Sequence, residues 1–254
     1  MDEKVIIFSK KYRDINYLEA VNGNNKKKKP LVVFLHGWSA RKEYQIRSLY
    51  VLANRDFFVI APDLPMHGER KNSDFEGSPE IVLGIIQRAI QDVNSLFEYY
   101  KNDERVDVGR FGITGASLGG IISYIYISLN KNKLKAAVPI IAIPEFTKVL
   151  SFMDRDTIHN ILRLREKSDM DALQKISNNF QQPKLEDLCG VPILMLNGVE
   201  DPLIPISEVR KSYKNLKEIC KDKSLVELIE YPNTGHTVNW EMSLEIVKWF
   251  ERYL

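Results

Sequence analysis

A serine hydroxyl attacks a carbonyl only when a base stands within hydrogen-bond reach and a third group holds that base in place. The sharpest place to look for such a serine is Gly115-Ala116-Ser117-Leu118-Gly119, followed by Gly120. Phe111 to Thr114 before it read as a strand, and the residues from Ile121 onward read as a helix. A serine in so tight a strand-to-helix turn is forced into a strained backbone that lifts its hydroxyl clear of the sheet. Glycines two residues to either side remove side chains that would clash there. The helix beginning at the serine offers free N–H groups and a dipole to negative charge. A glycine-rich turn with an incidental serine is the plain alternative, and the strand before and helix after speak against it.

Four histidines compete for the role of base. His36, in His36-Gly37-Trp38, stands directly after a buried strand and reads as a loop-shaping residue bonded to backbone. His67, in Met66-His67-Gly68-Glu69-Arg70, lies in a long loop and can line a site, although its neighbours read as a turn. His159 falls among Ile158, Ile161 and Leu162 on a helix, where packing or exposure fits better than chemistry. His236 follows Tyr231-Pro232-Asn233-Thr234-Gly235, past the last strand and before the last helix. Loops at the carboxyl ends of parallel strands are where active sites collect, so His236 is the best base. The orienting acid is expected from a neighbouring strand end. Asn197-Gly198-Val199-Glu200-Asp201-Pro202 offers Asp201, with Glu200 as its rival. Asp201 is preferred because Pro202 and Pro205 stiffen its loop and its short side chain fixes an imidazole with less freedom.

These residues need a frame. Residues 3–21 read as a hairpin, and Asn22 to Pro30 as a polar break. The four lysines of that break (Lys26 to Lys29) read as a solvated loop tip rather than a lipid or nucleic-acid contact. Strands follow at 31–35, 57–61, 107–114, 135–143, 192–196 and 225–230. Helices fall between or after them at 43–54, 80–101, 118–130, 207–221 and 241–253, the second opened by Ser78 and Pro79. Alternation of this kind predicts a mostly parallel sheet with helices on both faces. The segment 144–190 breaks the rhythm with helical stretches at 145–152, 157–166 and 169–178, and is expected to cap the carboxyl ends of the strands. The whole chain then reads as one domain with this insert.

Composition narrows the class further. The 254 residues carry 36 basic and 34 acidic side chains, a net charge of +2, which argues against a nucleic-acid partner. No apolar run approaches the roughly 18 residues of a membrane span, and the acidic start of the chain is not a signal peptide. Cys189 and Cys220 form neither a disulfide framework nor a zinc motif, and two unpaired thiols fit a cytoplasmic address.

The elbow at 115–119, the His36-Gly37 pair, the Asp201-Pro202 loop and the Gly235-His236 ending resemble the α/β-hydrolase superfamily, in its chain order, over about residues 31–250. Within it the chain looks like small bacterial esterases akin to dienelactone hydrolase and the prolyl oligopeptidase catalytic domain. Asp63 to Arg70 is similar to the Asp-containing His-Gly loop of those esterases. The resemblance implies an α/β-hydrolase fold with an eight-stranded twisted sheet, and a Ser117, His236, Asp201 triad. It implies an oxyanion hole from the backbone N–H groups of Trp38 and Leu118. His36, Gly37 and His67 are expected to line the substrate site. Trp38 also reads as a packing aromatic, and both readings can hold.

The leading expectation is a serine esterase for short- to medium-chain carboxylic esters, working through an acyl-enzyme with no cofactor or metal. Its partner is then a small-molecule ester, with neither nucleic acid nor membrane, and the protein is a monomer or homodimer. No propeller precedes the catalytic region, which speaks against a gated oligopeptidase. The elbow's serine, rather than aspartate or cysteine, speaks against dehalogenases and thiol hydrolases. A thioesterase, amidase or peptidase, or acyltransferase would use the same groups, and a non-catalytic binding protein can keep the fold.

Overall fold

Leu31, Val33 and Leu35 pack on one face of a strand while Val32 and Phe34 pack on the other, and every residue of that strand is buried. Such two-sided burial belongs to the interior of a sheet covered on both faces. The computed structural model describes residues 4–23, 27–71, 79–145, 148–149, 156 and 183–254. Among them are strands β1 (Val5–Tyr12), β2 (Ile15–Asn22), β3 (Lys29–Leu35) and β4 (Phe58–Pro62). Strands β5 (Val106–Ala116), β6 (Ala136–Ile140), β7 (Ile193–Gly198) and β8 (Val226–Tyr231) complete the sheet. They form one eight-stranded sheet in the order β1-β2-β4-β3-β5-β6-β7-β8. β1 and β2 pair antiparallel, as do β2 and β4, and every pair from β4 to β8 is parallel. The mostly parallel sheet of the sequence reading is therefore present.

The described helices are α1 (Ile46–Ala53), α2 (Pro79–Tyr100), α3 (Leu118–Asn130), α4 (Leu185–Leu188), α5 (Ile206–Ile219) and α6 (Trp240–Tyr253). Val82, Ile86 and Val93 of α2, Ile122 of α3, Leu188 of α4 and Leu216 of α5 bury one face. Leu49 and Leu52 of α1 and Met242 and Ile246 of α6 bury the other. From β3 the chain steps outward to β4, then returns past β3 to β5 on its far side. The loops leaving β3 and β5 thus diverge, and the crevice between them at the carboxyl edge is where ligands of such sheets bind.

Two expectations are corrected. Cys189 and Cys220 are not free thiols: they form a disulfide across 31 positions of sequence, because the end of α4 and the end of α5 meet. The cytoplasmic expectation loses the support it drew from unpaired thiols. Lys29 is not part of a solvated tip but lies buried as the first residue of β3. Residues 183–190, the last stretch of the expected insert, hold α4, whose Leu188 is fully buried with Val191. The expected insert helices, His159 among them, fall outside the described residues apart from Glu145, Lys148 and Val149. Ser78, expected to open α2, lies outside them too. Among the described residues no helix is long and apolar enough to cross a membrane.

Candidate active site

β5 delivers Ser117 at its carboxyl end, between Ala116 and the first turn of α3. The serine sits at φ 55° and ψ −115°, a region that costs a non-glycine residue about 1–3 kcal/mol. Its surroundings hold it there. The Ser117 N–H donates to the Ile140 carbonyl at 2.9 Å, and its carbonyl accepts from Ile121 N–H at 2.9 Å. Gly119 lies so close to β3 that a Cβ on it would stand 2.2 Å from the Leu35 carbonyl oxygen. Only glycine allows the helix start to press against the neighbouring strand, so the turn is as tight as its sequence implied.

His236 reaches this serine from the far side of the crevice. Its Nε2 lies 2.8 Å from Ser117 Oγ, and its Nδ1 lies 2.8 Å from Asp201 Oδ2. Asp201 is already committed through its other oxygen, Oδ1, which accepts from the N–H groups of Leu203 and Ile204 at 2.8 and 2.9 Å. With Oδ2 left to take the Nδ1 proton, Nε2 presents a lone pair to the Ser117 hydroxyl. The carboxylate is fully buried, while the imidazole keeps 19% of its surface exposed. Glu200, the rival acid, is exposed, and its N–H donates to the Thr234 carbonyl at 3.0 Å. The two loops are locked together. Val199 N–H donates to the Tyr231 carbonyl, and Asn239 caps α6 by accepting from Met242 N–H at 2.8 Å. The arrangement can withdraw the serine proton as the hydroxyl attacks, and hold the resulting imidazolium against a buried carboxylate.

The remaining sequence candidates divide. Gly37 lies against the serine, where an added Cβ would be 3.4 Å from Ser117 Cβ. Trp38, next in chain, follows it along the crevice, and Leu118 opens α3. The Trp38 indole meets the His67 ring edge-on at 5.1 Å, so its packing role is real. Trp38, Met66 and His67 help line a cleft of about 100 Å³. His36 is corrected. It lines nothing that a substrate can touch, because its ring is wholly buried with both nitrogens occupied. Nδ1 donates to the Gly37 carbonyl at 2.7 Å and Nε2 accepts from Leu64 N–H at 2.9 Å. Burial pushes its pKa down to about 4. His67 Nδ1 donates to the Pro65 carbonyl at 2.8 Å, and burial lowers its pKa as well.

One residue escaped the sequence reading altogether. Lys42 is buried at the start of the short 3₁₀ turn before α1, where its ammonium meets Asp63, Glu43 and Glu69. Burial alone would lower its pKa, but hydrogen bonds to Glu69, Asp63 and Glu43 outweigh that and raise it. Nothing in the spacing of Lys42 and Asp63, 21 positions apart, marks them as partners. Among the described residues no group of three His, Cys, Asp or Glu side chains could hold a metal ion.

Comparison with known proteins places this geometry. The family model described as "Prolyl oligopeptidase family" matches residues 43–254. The chain belongs to that family. The match takes in Ser117, Asp201 and His236 and begins just after the Gly37–Trp38 turn. YitV of Bacillus subtilis (strain 168) is 26% identical over 94% of this chain and 96% of its own. The esterase YjfP of Escherichia coli (strain K12) is 23% identical over 98% and 99%. Among solved structures, TT1662 from Thermus thermophilus superposes with a TM-score of 0.73 at 19% identity, over 98% of both chains. The Pyrococcus horikoshii acylaminoacyl peptidase does so at 0.72 and 17% identity, over 100% of this chain and 42% of its own. Family and fold together make the protein a serine hydrolase of the esterase and peptidase type, on an α/β-hydrolase scaffold.

Proposed function

We propose that the protein hydrolyses short- to medium-chain carboxylic esters through an acyl-enzyme on Ser117. The observation that carries this reading is the pair of 2.8 Å contacts from His236 to Ser117 and Asp201. His236 takes the serine proton, returns it to the departing alcohol, and then activates the water that releases the acid. Asp201 fixes the tautomer and balances the imidazolium, and the N–H groups of Trp38 and Leu118 receive the developing oxyanion. Similarity to the esterase YjfP along nearly all of both chains supports an ester over a peptide. The cleft of about 100 Å³ that Trp38 and His67 help line supports a modest acyl chain.

The test is hydrolysis of p-nitrophenyl esters of increasing chain length by the wild type and by Ser117→Ala, with fluorophosphonate labelling of both. Stoichiometric labelling at Ser117, activity highest on short and medium chains, and its loss in the variant are expected. Acetate hydrolysis that survives Ser117→Ala unchanged would sink the reading. A peptidase reading is favoured by the structural likeness to acylaminoacyl peptidase. Faster turnover of an aminoacyl anilide than of any ester would replace the first reading with the second.

A further inference from the structure

Between β3 and α1 the chain forms a strap, residues 37–41, that carries Trp38 past Ser117. Within the strap the Trp38 indole packs against the His67 ring. Ala40 N–H donates to the Gly37 carbonyl at 3.3 Å, and Ser39 is left-handed at φ 58°. Both ends are fastened to one neighbouring segment, the residues just after β4. At the first end His36 accepts from Leu64 N–H at 2.9 Å and ties back to the Gly37 carbonyl at 2.7 Å. At the second end Lys42 grips Asp63 twice, backbone N–H to Oδ1 and ammonium to Oδ2, each at 2.9 Å. The same ammonium bonds Glu69 and lies 2.9 Å from a Glu43 oxygen. Asp63 is in turn held by Glu69 N–H at 3.1 Å, and its carbonyl accepts from Arg70 at 2.9 Å.

The Lys42 side chain has no exposed surface. A cation buried among carboxylates gains no stability over a well-packed apolar side chain, because desolvation offsets the attraction. What such a cluster supplies is a fixed position for the backbone it grips. We infer that Lys42 is a positioning residue for the oxyanion strap: with His36 at the opposite end, it sets where the Trp38 backbone lies relative to Ser117. The inference rests on the serine-hydrolase reading above. Lys42 touches no substrate. It acts through the strap, so its loss weakens transition-state stabilisation while leaving ground-state binding alone.

The experiment is Lys42→Met, which keeps the length of the side chain and removes its charge. kcat and KM are measured on p-nitrophenyl acetate, beside the inhibition constant of an aryl trifluoromethyl ketone, whose hemiketal oxyanion occupies the same donors. We expect kcat to fall about 10- to 100-fold, within the loss of one oxyanion donor, with KM inside a factor of about two. Ketone affinity falls in step with kcat/KM. A lower melting temperature with kcat and ketone affinity unchanged would overturn the inference and leave Lys42 a structural residue. Should Lys42→Met fail to fold, Glu69→Gln removes one partner of the ammonium from a half-exposed side chain. There a drop of about threefold or more in kcat, matched by the ketone, supports the inference, and an unchanged kcat overturns it. A wild type that neither hydrolyses the ester nor labels at Ser117 brings down the function reading itself, and this inference with it.

Discussion

Two histidine–aspartate pairs stand at the carboxyl edge of the same sheet, and their atoms are set to opposite purposes. His36 and Asp63 are both fully buried, with 3.9 Å between Nε2 and the nearer carboxylate oxygen. The His36 ring spends both nitrogens on backbone, one giving and one accepting. Asp63 spends its oxygens on Lys42 and Glu69. Every partner in this pair is fixed, so no proton has anywhere to go. His236 and Asp201 are joined directly at 2.8 Å, and the free face of that imidazole ends on a hydroxyl at a partly open surface. Residue type is the same in both pairs. Exposure and the identity of the second partner separate a clamp from a proton carrier.

The largest test of this contrast exchanges the two histidines as targets. His236→Ala should lower kcat on p-nitrophenyl acetate by about 10⁴-fold or more, since triad members act as a unit. Its urea midpoint should scarcely move. His36→Ala should invert the pattern. It leaves the Leu64 N–H without its acceptor and opens a void, costing about 2–4 kcal/mol of stability. Its effect on kcat should not exceed the loss of one oxyanion donor, about 10²–10³-fold. Equal kinetic losses in the two variants would erase the distinction. Asp201→Asn follows in size, with a kcat loss of about 10⁴-fold from a wrongly held imidazole. A loss below tenfold would show that another group orients His236.

How much of this was legible in the chain follows from the range of each interaction. The elbow could be read because its demands are local: Gly115, Ser117 and Gly119 sit within five positions, and the backbone strain they permit is a property of that turn. The mostly parallel sheet with helices on both faces followed from alternation and the buried runs, whereas the order of its strands is known only from the structure. His236 and Asp201 could be placed because they lie just past strand ends, where topology brings loops together. Lys42 and the Cys189–Cys220 bridge could not, because each depends on two segments meeting in space with no spacing rule to announce it. His36 was legible as a loop shaper from its position after a buried strand. Its expected place among the substrate-lining residues is at odds with a fully buried ring.

A pH series sharpens the contrast without any mutation. Burial pushes the folded-state pKa of His36 down to about 4, below the ordinary imidazole value of about 6.5. Above pH 6.5 the ring is neutral in both states, and the depressed value costs nothing. As pH falls from 6.5 toward 4 the unfolded chain takes up a proton that the folded chain refuses, so stability declines. The decline attributable to this group is on the order of 3 kcal/mol once the pH has fallen to 4. Urea unfolding of the wild type and of a His36→Asn variant across pH 4.5 to 7 measures it. The wild-type slope should be steeper, and parallel slopes would mean that His36 is not kept neutral by the fold.

The smallest expected effect decides between two adjacent carboxylates. Glu200 and Asp201 are neighbours in the loop that follows β7, and the flanking prolines favour Asp201 only weakly. Their environments separate them. Asp201 turns inward, takes two backbone N–H bonds on one oxygen and offers the other to His236. Glu200 turns outward, and its backbone N–H joins the His236 loop, through the Thr234 carbonyl. Glu200→Gln leaves that backbone bond intact and removes a charge facing solvent, which shifts an exposed site's energetics by well under 1 kcal/mol. kcat/KM should stay within about twofold of wild type at moderate salt. A loss that approached that of Asp201→Asn would move the orienting role one residue back along the chain. The inward carboxylate would then be a loop brace, and the contrast between clamp and proton carrier would have to be redrawn around Glu200.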